Sequence, residues 1–578
     1  YDFAAGPSRV SLEAGYSRAF METGDDKAFD VFERYRRDLE QQTTDDGLYW
    51  LGDDPGTAFD EGHLFDYYVR SLTQDWTLRL DTKSDWGRPF PLRLGGEIHE
   101  ITWRYYEHLA PSQVAVDGPV AGYRLATYFG YTQNGDDQAD PAGHAARKPQ
   151  RLALYASQRL RAGELDVEGG LRWERFRPGQ KPVHDPADVL GADQQLTNAD
   201  LDPEPTDSHV DPRLGAYLAL DPRTHLWVDG GQSRQIPPFE ALYYDPAFLA
   251  LQAGLAHDTQ ILEAQRMIFG NPGLKPEATW EAHAGIRREL SARLSVRASA
   301  HLGETSDTWV ARSQLAGQDT LAFYDNRGTR RERGLHLGLR LDTGRQSEIR
   351  ALYDLGKIET NVIEPAPLYR YLRYPGTPVE NLASPQTALP YSRWLDDGVD
   401  RGFFPSMLDR RHRLAVSFIT ALNPEDLGFA GYAVGKGDLA LTFRAASGAP
   451  YTPTYVREAG LVEGSLQPAV PLFDPGIQTE TLPWTWQIDA AISQFFRAFA
   501  LDFVARVEVR NLTNRKNATQ VYTATGEADD DGWLQSAAGR AEAERLGNAF
   551  VESYQDRVDN PLHYDDGIAA RVALTVSY

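Results

Sequence analysis

The sequence predicts an all-β protein, an antiparallel transmembrane β-barrel with short periplasmic turns and long extracellular loops. Three observations predict it. Apolar and polar residues alternate strictly in several separate segments, the period that sends successive side chains to opposite faces of a strand. No uninterrupted apolar run reaches the length of a membrane helix. The segments are joined in pairs by short connections, with long polar stretches between pairs, as in outer-membrane barrels.

In chain order, Leu152, Leu154 and Ala156 begin the pattern and Gly163 marks a tight turn after them. Leu165, Val167, Gly169, Leu171 and Trp173 then alternate with Asp166, Glu168, Gly170, Arg172 and Glu174. Asp221 and Pro222 open a turn between Leu214 to Leu220 and Leu226 to Val228. Alternation from Leu290 to Leu302 places Arg293, Ser295, Arg297, Ser299 and His301 on its second face, with a turn near Glu289 to Ala292. Leu335, Leu337, Leu339 and Leu341 lead into the turn Asp342-Thr343-Gly344-Arg345. A turn at Arg497 and Ala498 precedes Leu501, Phe503, Ala505, Val507 and Val509. The chain ends with Ile568, Ala570, Val572, Leu574, Val576 and Tyr578 on one side, and with Arg571 among their alternates. An apolar face opposite a face bearing charges of both signs suits lipid outside and a watery or plugged lumen inside. Counting these segments gives about sixteen strands, an even number as bacterial barrels require. The long segments, among them 20–63, 105–149, 177–210, 235–276, 358–407, 447–482 and 511–564, read as external loops, and 248–269 holds a short helix.

Composition agrees. Mean hydropathy is −0.49, as expected when only alternate strand residues touch lipid and the loops are wet. Twelve Trp, 28 Tyr and 24 Phe suit interfacial aromatic girdles. The absence of cysteine removes disulfides and thiolate metal sites. A net charge of −24 argues against nucleic acid as a partner. The acidic run Asp529, Asp530 and Asp531 reads as solvated loop, with a divalent cation bridging lipopolysaccharide or ligand as the sharper alternative.

Several strings carry a family resemblance. They are Asn271-Pro272-Gly273-Leu274-Lys275-Pro276-Glu277, Asp409-Arg410-Arg411-His412-Arg413, Ser447-Gly448-Ala449-Pro450-Tyr451-Thr452 and Asn511-Leu512-Thr513-Asn514. With Phe129-Gly130-Tyr131, Tyr155 and Gly170-Leu171-Arg172-Trp173, they resemble TonB-dependent outer-membrane transporters, particularly the Oar-like branch. Ser157, Gln158 and Arg159 depart from the usual pattern after Tyr155. Physically, Pro272 and Pro276 delay pairing until a strand begins. Arg410, Arg411 and Arg413 read as a solvated strand end, with guanidiniums meeting lipid phosphates at the membrane boundary as the alternative, and His412 belongs to that boundary.

The resemblance implies a plug domain, a TonB box and twenty-two strands, with substrate bound among loops and plug apices. No plug or TonB box is read in these residues. Residues 1–578 are therefore expected to be one outer-membrane barrel domain, the C-terminal part of a longer chain whose plug and first strands precede it; a smaller barrel closing on itself is the alternative. The expected function is import of a scarce nutrient (siderophore, oligosaccharide or peptide) across the outer membrane of a Gram-negative-type bacterium. The expected partners are the bilayer and lipopolysaccharide, and the TonB–ExbB–ExbD complex acting through a plug. Alternatives are a surface assembly protein anchoring lipoproteins or filaments, and a passive porin. No GxSxG, HExxH or P-loop string occurs, and His99-Glu100 lacks a second histidine, so no enzyme is expected. No catalytic, cofactor or metal residue is assigned and no substrate is named. Tyr243, Tyr244, Trp394, Phe403 and Phe404 are aromatics of external loops that either stack on ligand or pack the loops together.

Overall fold

Among the described residues, sixteen long strands follow one another in an antiparallel meander, each pairing with the next of them in sequence. They are β1 (Ser8–Thr23), β2 (Tyr67–Ser84), β3 (Leu92–Leu109), β4 (Gln150–Ala162), β5 (Leu165–Arg177), β6 (Asp207–Asp221), β7 (Thr224–Gln235), β8 (Glu277–Glu289), β9 (Leu294–Ala316), β10 (Asp319–Gly344), β11 (Ser347–Thr360), β12 (His412–Leu422), β13 (Lys436–Ala446), β14 (Thr485–Ala498), β15 (Leu501–Arg510) and β16 (Ala569–Ser577). Four short strands, Asp2–Ala5, Ala126–Phe129, Ile268–Phe269 and Phe404–Pro405, complete a 20-stranded sheet. This computed structural model describes residues 2–5, 8–23, 67–84, 91–109, 126–131, 144–256, 268–316, 319–344, 346–362, 402–423, 436–451, 453–455, 472–473, 478–499 and 501–577. Among the described residues the sheet has two ends: Asp2–Ala5 pairs only with β1, and β16 only with β15.

Register carries the sequence alternation around the wall. Leu335, Leu337 and Leu339 of β10 oppose Ala300, Ala298 and Val296 of β9, and Leu355, Tyr353 and Ala351 of β11. One continuous apolar face results, and its side chains are open: Leu214, Leu302, Leu335, Leu337, Val572 and Leu574 are all exposed. Apolar surface of that extent on every strand has to meet lipid. Trp280 and the stacked pair Phe496–Phe503 sit on this face toward its two margins, as does His412, whose ring lies between Tyr353 and Trp484. Amphipathic rings at the margins suit the headgroup layer.

The short turns fall where the sequence places them. Gly163 (φ 59°) and Gly344 (φ 82°) take the left-handed conformation that a tight hairpin needs and a Cβ disfavours. At Asp221 the carboxylate accepts from the Arg223 amide. Two details differ from expectation. Leu290 and Ala292 lie in the β8–β9 turn, so that alternation starts at Leu294. The connection from β12 to β13, on the short-turn side, spans residues 423–435 and is longer than its neighbours. On the opposite side, β9 and β10 stay paired from Leu294–Leu341 to Ala316–Asp319, so a tall ribbon stands where a loop would. Its register slips at Thr305–Thr308, where Asp307 has φ 58°, a bulge that bends the ribbon.

Candidate functional site

The inner face of the wall is built from the residues between the lipid-facing ones, and it is densely charged. On β2 to β5, Arg79 and Tyr155 both bond Asp81. Arg172 bridges Glu97 and Glu174, and Arg151 reaches Glu174 through two bonds of 2.6 and 2.8 Å. Asp166 holds Arg159 and Arg161. Farther round, Arg340 and Arg350 share Glu348, Arg444 meets Asp489, and Arg506 meets Glu508. Planar guanidiniums in these networks hold water-facing charge in place, and those that cross strands, such as Arg172–Glu97 and Arg151–Glu174, also fix register. β12 to β14 present smaller groups inward, including Ala415, Ser417, Thr442 and Ala491.

β6 to β11 carry the most varied chemistry. A shallow cavity of about 440 Å³ is lined by Tyr217, His225, Trp227, Asp229, Arg287, Glu289 and Arg297. The Arg297 guanidinium lies 4.5 Å from the Trp227 ring centroid, and a Cβ at Gly285 would fall 2.1 Å from that ring, so the glycine makes its space. Above it, the register puts Asp229, His283 and His301 in one row and brings His336 and Asp354 alongside. His283 Nδ1 is 3.1 Å from Asp229 Oδ1, His336 Nδ1 is 2.5 Å from Asp354 Oδ1, and the His301 and His336 rings stack at 4.7 Å. Single-strand alternation puts these three histidines on the polar face but says nothing of their proximity. Only the hairpin registers reveal it.

External segments cap one end of the wall with cores of their own. Trp103, Phe129, Tyr243, Leu242 and Leu274 form one, and Val189, Leu190, Tyr244, Phe248, Leu249 and Phe323 another. The expected loop helix is present as α1 (Pro246–Ala256), whose first turn is capped by Asp245 Oδ1 accepting from the Ala247 and Phe248 amides. Buried Asp245 also meets His144 at 2.8 Å. Tyr243 and Tyr244 pack the cap: both are buried, and their hydroxyls donate to the carbonyls of Pro178 and Lys181. Burial raises both phenols, Tyr244 to about 12. Phe403 stacks under Arg331 at 4.0 Å, Phe404 is in a short strand beside β11, and Trp394 lies outside the described residues.

The motif strings turn out to be joints between wall and cap. Asn271 Nδ2 donates to the Tyr324 carbonyl, and Asn326 clasps Lys275 through both its backbone groups. Gly130 (φ 71°) lets Phe129 and Tyr131 bury on either side of a sharp bend. Ser447 bonds His412 through backbone and side chain, and a Cβ at Gly448 would strike the Leu482 carbonyl. Asn511 and Asn514 both have φ 49°, and their side chains bond Arg515 and Ile568, tying β15 to β16. In the arginine string, Arg411 is held by buried Asp409 at 2.8 Å, and Arg413 shares the inner face with Ala415, so neither reaches lipid phosphates, while His412 faces outward.

The last loop folds as a small helical unit. α2 (Ala537–Leu546) and α3 (Asn548–Val558) pack Trp533, Tyr554 and Val558 together. Its acidic run is structural: Asp530 accepts from the Gly532 amide, and Asp531 from the Trp533 amide and the Tyr554 hydroxyl. His99 faces inward to Asp75 at 2.9 Å while Glu100 takes the other face, so the two never converge. Among the described residues, no group of three or more imidazoles and carboxylates converges to hold a metal ion as placed.

An apolar exterior, a charged interior and a folded external cap define an outer-membrane β-barrel. Residues 4–512 match the family model described as TonB dependent receptor-like, beta-barrel, and the chain belongs to that family. Its members are outer-membrane transporters rather than enzymes. No curated protein matches the chain. Among solved structures, the outer membrane transporter YddB from Escherichia coli aligns with TM-score 0.50 and 11% identity over 90% of this chain and 58% of its own. The copper transporter OprC gives 0.46 and 11% over 88% and 57%, and the ferric yersiniabactin uptake receptor FyuA from Yersinia pestis 0.46 and 12% over 90% and 56%. The chain thus spans little more than half the length of each.

Proposed function

We propose that this chain is the barrel of an energy-coupled importer whose lumen is closed by a plug and whose cap receives a scarce nutrient such as a siderophore, oligosaccharide or peptide. The observation that carries the reading is the pair of sheet ends, Asp2–Ala5 and β16, each bonded on one side only among the described residues. In hydrocarbon each unpaired backbone group costs several kcal/mol, so these ends must find partners, and further strands between them are the reading we favour. About twenty-two strands, within the range of single-chain barrels, would leave a bore wide enough for a plug. The charged inner wall then serves as a plug seat, and TonB, with ExbB and ExbD behind it, works on the plug.

The test is uptake. Deleting the gene should abolish growth on one scarce nutrient, and deleting tonB should do the same. Unchanged growth of the deletion strain on every iron, sugar and peptide source would contradict import. Single-channel conductance separates this reading from a passive porin, since a plugged barrel passes little ion current.

A further inference from the structure

We propose that the cluster His283, His301 and His336 is a binding site for a borderline divalent transition-metal ion such as Zn2+ or Cu2+, held on the lumenal wall by two or three imidazoles. The tautomers point to it. In a neutral imidazole whose Nδ1 faces a carboxylate oxygen, Nδ1 carries the proton and Nε2 keeps its lone pair. Asp229 fixes His283 this way and Asp354 fixes His336. A carboxylate behind a histidine is the outer shell that orients metal-ligating imidazoles and raises their basicity. Between them, His301 has a buried Nδ1 without a hydrogen-bond partner among the described residues, a polar atom left unsatisfied in the apo wall.

The wall gives these rings room. A Cβ at Gly334 would lie 2.4 Å from His301 Cε1, so this glycine opens the space that the ring occupies. His283 and His336 keep 37% and 47% of their side chains exposed, enough freedom to turn toward His301. The rings are now stacked at 4.7 Å and lie 6.3 Å apart on the other side, so binding requires rotation about side-chain torsions rather than backbone movement. Imidazole suits Zn2+, Ni2+ and above all Cu2+ in the divalent series. The site stands independently of nutrient import: uptake could fail with metal binding intact, and the reverse.

Cu2+ is the probe. The native protein, extracted from outer membranes in detergent, carrying no histidine tag and stripped with chelator, is titrated and followed by electron paramagnetic resonance. Nitrogen hyperfine coupling from imidazole is expected. His301→Ala and His336→Gln should each remove part of it, and Asp354→Asn should weaken binding by about 10- to 100-fold. Heat-modifiable gel mobility reports whether each variant folds. In the unmodified protein, Zn2+ should shield His301 and His336 from carbethoxylation mapped by mass spectrometry. A copper spectrum without nitrogen coupling, binding unchanged in the folded variants, or absent Zn2+ protection would overturn the site.

Discussion

Single residues are under the tightest conditions where wall meets cap. Asn511 and Asn514 hold left-handed backbone that Asn tolerates and β-branched residues do not. Asn511 additionally bonds the Arg515 amide and carbonyl. Asn511→Val should therefore cost roughly 1–3 kcal/mol, seen as a lower unfolding temperature of the barrel in detergent, whereas Asn511→Gly should recover part of it. The inner-wall charges should rank by enclosure. Glu174 is buried and held by Arg151 and Arg172, while Arg497 and Asp502 pair in the open at a turn. Removing Arg151 and Arg172 together strands a buried carboxylate and should destabilise far more than Arg497→Ala, whose effect should stay within about 1 kcal/mol. Equal effects in denaturant titrations would refute that ranking.

At the scale of elements, the external units should come apart separately from the wall, because each has its own core. Trp533 is fully buried against Phe550 and Tyr554. Trp533→Ala should cost the unit of α2 and α3 about 3–5 kcal/mol, exposing 514–565 to protease while the strands stay resistant. Alkali should also loosen the caps first. Burial raises Tyr244 and Tyr522 to about 12 from an ordinary value of 10.0. The unfolded phenols ionise first, so this stabilisation is complete below pH 10 and is lost as pH rises toward 12. Cap tryptophan fluorescence should change in that window before the strand circular dichroism does. How much of this the sequence discloses follows from range. Alternation within a strand is local, and so Leu335–Leu341 and the turn at Gly344 are readable directly. The β8–β9–β10 registers that bring His283, His301 and His336 together are set by pairing between strands, which no single segment discloses; the turn at Glu289 to Ala292 is readable, but where alternation resumes after it is not, since Leu290 and Ala292 fit the pattern and yet lie in the turn. Arg413 could have been placed inward by parity with Leu414, had the strand phase outweighed the string's resemblance. The acid run 529–531 gives no sign in sequence that its carboxylates cap the first turn of a buried tryptophan.

For the molecule as a whole, the meander of sixteen described long strands is a lipid-facing wall, with two one-sided ends among the described residues. If closure by further strands is correct, the native polypeptide is heavier than the 64.6 kDa of this sequence, and intact mass together with N-terminal sequencing should find residues before Tyr1. A native mass equal to 64.6 kDa would instead require β16 to pair with Asp2–Ala5 or a second copy. Underneath both outcomes lies the assignment of lipid to one face and water to the other. The chain has no cysteine, so nitroxides can be attached one at a time along β10 without background. Collision with oxygen and with a water-soluble nickel complex, measured in bilayers at positions 335 to 340, tests it directly. Leu335, Leu337 and Leu339 should show high oxygen and negligible nickel contact, and His336, Gly338 and Arg340 should not share that lipid signature. Nickel contact at Leu337 equal to that of a free aqueous loop would contradict the assignment.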